Sequence, residues 1–214
     1  MKLNRIILVI DDDVSSYKGI LRFSDTLAAH THYFADRLAL LNWASENRQQ
    51  FARHKQMFCV VFDPRHSEVF KIGPTLDFLQ HAPKICISRP AQLAKALRIA
   101  NINLFNFVEK PFRLDSMKQT LDEAFTRHEH ESRVYSQFKS LTKRELETCV
   151  LIAAGLTSKD ISEKLSISIK TVKVHRANLM RKLQASSITQ LLHSYNTLKS
   201  SDKDSLVIPK QYFV

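Results

Sequence analysis

Short apolar runs alternate with helical patterns through the first half of the chain, and everything beyond about residue 141 is helical in pattern. Ile6–Ile10 and Met57–Phe62 are continuous, β-branched-rich runs of strand length, and Lys84–Ile87 and Phe105–Val108 are shorter runs of the same kind. Strands apolar on both faces suit a parallel sheet buried between helices. Amphipathic stretches lie between them: Leu38, Leu41, Trp43 and Ala44, then Leu93, Ala96, Leu97 and Ala100. Leu114–Phe125 adds a third, with Met117, Leu121, Ala124 and Phe125 at helical spacing. Such alternation predicts a doubly wound α/β domain. The stretch HEHESRVYSQFKS that follows is polar and lacks proline and glycine, so a helical extension and a short linker fit it equally well. Beyond it, Thr142 with Glu145 forms a capping box, the helix runs through Cys149, Leu151 and Ile152, and Gly155 stops it. Thr157 with Asp160 starts a second helix, a third covers about Ile169 to Leu183, and Ser187 opens a fourth.

Composition narrows the class. The 214 residues are 44% hydrophobic and 25% charged, which is ordinary globular make-up with material for two units. Lys and Arg exceed Asp and Glu by 11, so an anionic partner is expected. The surplus is uneven: residues 1–140 carry +5, whereas residues 141–199 carry +6 in less than half the length. Only three glycines argue against a glycine-rich cofactor cradle. No signal-peptide pattern opens the sequence, and no apolar run approaches the roughly 18 residues that cross a bilayer. Cys59, Cys86 and Cys149 sit apart within apolar runs and read as reduced core residues of a cytoplasmic protein.

Chemistry in an open parallel sheet gathers at the carboxyl ends of the strands. Here the first strand ends in Asp11, Asp12 and Asp13, the third in Asp63, the fourth in Ser88, and the fifth in Glu109, Lys110 and Pro111. Two or three carboxylates around one pocket suit Mg²⁺, a hard ion that takes oxygen ligands. A carboxylate neutralised in that way can attack a phosphoryl donor. Ser88 could then hydrogen-bond a phosphoryl oxygen and Lys110 pair with its charge.

The motifs VIDDD, VVFD, ICIS and FVEKPF resemble those of the response-regulator receiver domain, over residues 4–127. The resemblance implies a five-stranded receiver fold with Asp63 as phosphoacceptor. It implies that Asp11, Asp12, Asp63 and the backbone carbonyl of Arg65 hold Mg²⁺, with Ser88, Phe107 and Lys110 forming the switch. The run after Asp63 departs from the family's usual Met-Pro and early glycine: it reads Pro64-Arg65-His66-Ser67-Glu68, and the next glycine is Gly73. Pro64 removes a backbone N–H beside the site.

From Lys170 to Lys182 there are five cations and no acid. Lys170, Lys173, Val174, Ala177 and Arg181 share one helical face, and Val172, Leu179 and Leu183 another. A solvated helix normally interleaves acids, so the pattern predicts a helix that enters the major groove of DNA. Lys173 and Val174 are expected at base edges, and Lys170, Thr171, Arg176, Arg181 and Lys182 at phosphates. LT-x-RE, GLTSKDI and TVKVHRANLMRKL closely resemble the LuxR-type helix-turn-helix of the NarL/FixJ class. The chain thus divides into a receiver at 4–127, a linker at 128–139, an all-α four-helix DNA-binding domain at 140–200, and a tail at 201–214.

The resemblances imply a transcription regulator, not an enzyme. Its partners would be a sensor histidine kinase, promoter DNA and a second copy of itself. That second copy is expected at the fourth helix, through Ile188, Leu191, Leu192 and Tyr195, although some of these could close the domain's own core. Two other readings stay open. One is a DNA-binding regulator whose receiver works without phosphate. The other is a Mg²⁺-dependent phosphatase built on Asp11 and Asp13.

Overall fold

The computed structural model describes residues 4–53, 56–66, 79, 82–90 and 104–201, which form two compact units, Met1–Glu129 and His130–Val214. The first holds five strands: β1 (Asn4–Ile10), β2 (Ala29–Phe34), β3 (Gln56–Phe62), β4 (Lys84–Ser88) and β5 (Leu104–Glu109). They form one parallel sheet in the order β2-β1-β3-β4-β5. Helices α1 (Val14–Ser24), α2 (Arg37–Arg53) and α3 (Leu114–Lys139) accompany it. The stretch carrying Leu93, Ala96, Leu97 and Ala100 lies outside the described residues.

Alternation along β1 divides the apolar residues between two cores. Ile6, Leu8 and Ile10 join Leu40 and Ala44 of α2 on one face of the sheet. Ile7 and Val9 meet Ile20 and Phe23 of α1, and Met117, Leu121, Ala124 and Phe125 of α3, on the other. Covering on both faces explains why β1 and β3 are nearly continuous apolar runs. Strand order reverses at β1, which pairs with β2 on one side and β3 on the other. That reversal opens a crevice at the carboxyl ends of β1 and β3, where Ile10 and Phe62 are register partners.

The second unit contains α4 (Lys143–Ala153), α5 (Ser158–Leu165), α6 (Ile169–Lys182) and α7 (Ile188–Ser201). The two capping boxes form as their sequences require: Thr142 with Glu145 opens α4, and Thr157 with Asp160 opens α5. Gly155 follows α4 at φ 84°, a left-handed conformation that glycine adopts without steric cost. Residues 128–139 are helical, as the second half of α3. Val134 and Phe138 on that half are buried with Cys149, Ile152, Ile161, Val172, Leu179, Leu191 and Tyr195, so the core of the second unit begins before residue 140 and the expected linker is part of it. Cys59, Cys86 and Cys149 are all buried free thiols.

Candidate functional site

The strand ends bring Asp11, Asp12, Asp63 and Lys110 together. Asp11 and Asp63 follow β1 and β3 directly and are almost fully buried. Their backbones are pinned, Asp11 N donating to the Phe34 carbonyl at 3.1 Å and Asp63 N to the Ile10 carbonyl at 3.0 Å. Asp13 points elsewhere: it caps α1 by accepting from the Ser15 N–H at 3.0 Å. The Ser15 hydrogen bonds hold its carboxyl below the usual value. Lys110, just past β5 and ahead of a cis Pro111, brings its ammonium between the buried acids. It bonds Asp11 and lies 3.3 Å from Asp63 Oδ2. Ser88, fully buried at the end of β4, donates to the Arg89 carbonyl at 3.0 Å. Phe107 is partly buried against the α2-side core.

The unexpected member is the side chain of Arg65. Residues 64–66 make a single 3₁₀ turn in which Asp63 Oδ1 accepts from the Arg65 N–H at 3.0 Å. The turn carries the guanidinium back over the acids. Nε donates to Asp63 Oδ1 at 2.9 Å and Nη2 to Asp63 Oδ2 at 3.2 Å. Nη1 donates to Asp12 Oδ2 at 2.6 Å, and Nη2 also bonds Asp12 Oδ1. The same Nη2 is 3.8 Å from Asp11 Oδ1. Burial pushes the Asp63 carboxyl up, but the Arg65 hydrogen bonds, with Lys110 behind them, outweigh it and hold it below the usual value. The bond to Asp63 in turn raises the Arg65 guanidinium further above its already high value.

Asp11, Asp12 and Asp63 supply three carboxylates around the Arg65 guanidinium, the hard donors a divalent cation takes, so the residue types fit Mg²⁺. Arg65 Nη2, however, already bonds Asp12 and Asp63 there. Among the described residues no cluster of three acidic, histidine or cysteine ligands stands ready for a metal. Sequence reasoning considered Arg65 only for its carbonyl. A cation two residues after Asp63, opposite Asp11 and Asp12, was the signal for its side chain.

The second site is the exposed face of α6. Ser168 caps that helix by accepting from the Thr171 N–H at 3.0 Å, and the two hydroxyls pair at 2.8 Å. Val172 and Leu179 are buried, which turns Lys170, Lys173, Val174, Ala177 and Arg181 outward. Val174, an apolar side chain, is 52% exposed amid this basic face. Arg176 and Thr171 are half-buried at its edges.

Lys182 is placed differently from the other cations. Its ammonium donates to Glu145 Oε2 at 2.7 Å and to the Ser140 carbonyl at 3.1 Å, and Glu145 is buried. Burial raises the Glu145 carboxyl, and the Lys182 bond and the Thr142 cap together bring it below the ordinary value. Lys182→Ala is therefore expected to destabilise the second unit by about 2 kcal/mol, the cost of a lost charged hydrogen bond to a buried acid. A carboxyl lowered in the fold stabilises above the ordinary carboxylate range, and that contribution is lost as pH falls through the lowered value. The gap between wild type and variant should accordingly be full at neutral pH and close in acid, as read by urea denaturation at both. An unchanged midpoint at neutral pH would return Lys182 to the phosphate-binding set.

On α7, Leu191 and Tyr195 are buried in the unit's own core, together with Leu198, and are therefore not free to meet a second copy. Ile188 is 38% exposed and Leu192 is half-buried. His30 and His32 lie on β2, where i and i+2 share a face; His32 packs on Trp43 with ring centres 4.9 Å apart.

Residues 139–195 match the family of bacterial regulatory proteins of the luxR type. Over 208 residues the chain is 26% identical to the response regulator protein TmoT of Ectopseudomonas mendocina, covering 92% of this chain and 91% of that protein. It is 40% identical over 120 residues to the transcriptional regulatory protein LiaR of Bacillus subtilis, 56% of this chain and 53% of LiaR. Among solved structures, full-length FixJ from B. japonicum aligns over 93% of this chain and 99% of its own, with 23% identity and a TM-score of 0.45. Residues 139–195 thus match the luxR family of bacterial regulatory proteins, and over nearly its whole length the chain is similar to a response regulator protein.

Proposed function

We propose that the chain regulates transcription as the output member of a two-component system, receiving a phosphoryl group on Asp63 from a sensor histidine kinase. One observation carries this reading: a buried carboxylate at the switch point of a parallel sheet, with Asp11 and the Lys110 ammonium beside it. A carboxylate oxygen of Asp63 forms the new bond to phosphorus as the P–N bond of the donor histidine breaks, its electron pair staying on nitrogen. Lys110 then pairs with the phosphoryl charge. Asp11, Asp12, Asp63 and the Arg65 carbonyl would hold Mg²⁺, which supplies further neutralisation of the acids. Ser88 and Phe107 are the residues whose rearrangement would carry the change to the rest of the unit. No described helix is long and apolar enough to cross a membrane. Intact-mass measurement after incubation with Mg²⁺ and a small phosphoryl donor tests the reading. A receiver that works without phosphate, favoured by the Arg65 side chain in its pocket, would gain no mass.

DNA is met through α6. Lys173 and Val174 read base edges, whereas Lys170, Thr171, Arg176 and Arg181 hold phosphates. Lys173→Ala should cost about 1–3 kcal/mol on the operator and flatten its preference over a scrambled duplex. Titrations of both duplexes at several salt concentrations decide it; equal weakening of both would make Lys173 a phosphate contact only. Two copies would associate through Ile188 and Leu192, doubling the DNA contact by avidity.

A further inference from the structure

The acidic pocket carries its own counter-ion. We infer that the Arg65 guanidinium is a resident competitor for the divalent-cation position, so that the resting receiver is neutralised from within and binds a metal ion only when Arg65 leaves. The inference rests on the reading of this pocket as a cation-assisted phosphorylation site.

The argument is geometric. Nη2 stands where three carboxylates meet, with bonds to Asp12 and Asp63 and Asp11 Oδ1 at 3.8 Å. A metal at that point would need the same carboxylate oxygens. Planar guanidinium matches two carboxylates at once, with the four bonds already described, where a lysine could act only as a point charge. The backbone supports the pose: the Arg65 N–H is fixed to Asp63 Oδ1, and the His66 N–H to the Asp63 carbonyl at 2.9 Å. Departure is nonetheless open to Arg65. Its side chain is 41% exposed and its anchor Asp12 is 51% exposed, so the guanidinium can swing into water without breaking the fold. Two cations, Arg65 and Lys110, then face three acids at rest, leaving little residual charge to draw in a third.

Mn²⁺, a hard stand-in for Mg²⁺, can be titrated against the full chain while free ion is followed by its paramagnetic resonance signal. Wild type should bind weakly. Arg65→Gln should bind at least about tenfold more tightly, as expected for removing charged hydrogen bonds that compete for the ligands. Arg65→Lys should fall between them. Thermal melting gives a second readout. Wild type should melt alike with chelator and with Mg²⁺, whereas Arg65→Gln should melt lower in chelator and recover with Mg²⁺. Adding Asp12→Asn to Arg65→Gln should remove the gained binding. Equal affinity of wild type and Arg65→Gln would overturn the competition while leaving the pocket a cation site. Binding by neither would overturn the cation-assisted reading together with the inference. Tight binding that survives Asp12→Asn would put the ion elsewhere and end the proposal.

Discussion

Asp63→Asn is expected to leave the protein unable to take up phosphate from any donor. The substitution keeps the shape of the side chain and the acceptor for the Arg65 N–H, so the turn at 64–66 and the sheet should survive. What disappears is the nucleophile, for a neutral amide oxygen does not displace a leaving group from phosphorus. The effect should be complete, because Asp11 is engaged by Lys110, Asp13 caps α1, and Asp12 is held by Arg65 at the rim. Intact mass after incubation with donor and Mg²⁺ measures it. Phosphate gained by the variant would mean that another carboxylate accepts it, and the assignment of Asp63 would be wrong.

The second large effect concerns a residue that belongs to neither site. Phe138→Ala should destabilise the DNA-binding unit by about 3–5 kcal/mol, the usual cost of emptying a buried phenylalanine site. Small units have only about 5–15 kcal/mol in total, so most of its margin would go. Phe138 is 1% exposed and sits against Tyr195 with ring centres 6.5 Å apart, in a core that must be closed from the α3 side. Urea titration of the full chain should show the helical unit unfolding earlier with the α/β unit unmoved. A variant that melts like wild type would mean α3 merely leans on that core.

The contrast between those two residues shows what the sequence made legible. Asp63 was readable because a strand with both faces buried leaves a distinctive apolar run, and the polar residue ending it has to mean something. The capping boxes at Thr142 and Thr157 were readable for a similar reason, since they are local chemistry satisfied within four residues. Phe138 was not readable, because its surroundings along the chain are polar: Ser136 and Gln137 precede it and Lys139 and Ser140 follow. Only the fold shows that Val134 and Phe138 share a buried helix face. Lys182 looked like one more cation on a basic helix until its distant partner Glu145 was in view. Arg65 was missed for the opposite reason: its partner Asp63 is two residues away, but Asp12 is distant in sequence and a one-dimensional reading does not aim a side chain. Contacts between residues remote in sequence are what the chain mainly concealed, together with β2, whose AHTHYF is no apolar run, and α1.

The three cysteines give the protein an internal record of its own opening. Burial pushes the Cys86 and Cys149 thiols up to about 12 and Cys59 higher still, so none is a thiolate at neutral pH. An alkylating reagent or mild oxidant meets no reactive sulfur while the chain is folded. Reaction then proceeds through transient unfolding alone, and its rate reports the free energy of that event when reclosing is fast. Cys59 and Cys86 lie on β3 and β4, whereas Cys149 lies on α4, so mapping the labelled peptides separates the breathing of the two units in one sample. No engineered probe is needed to follow how either half of this regulator loosens.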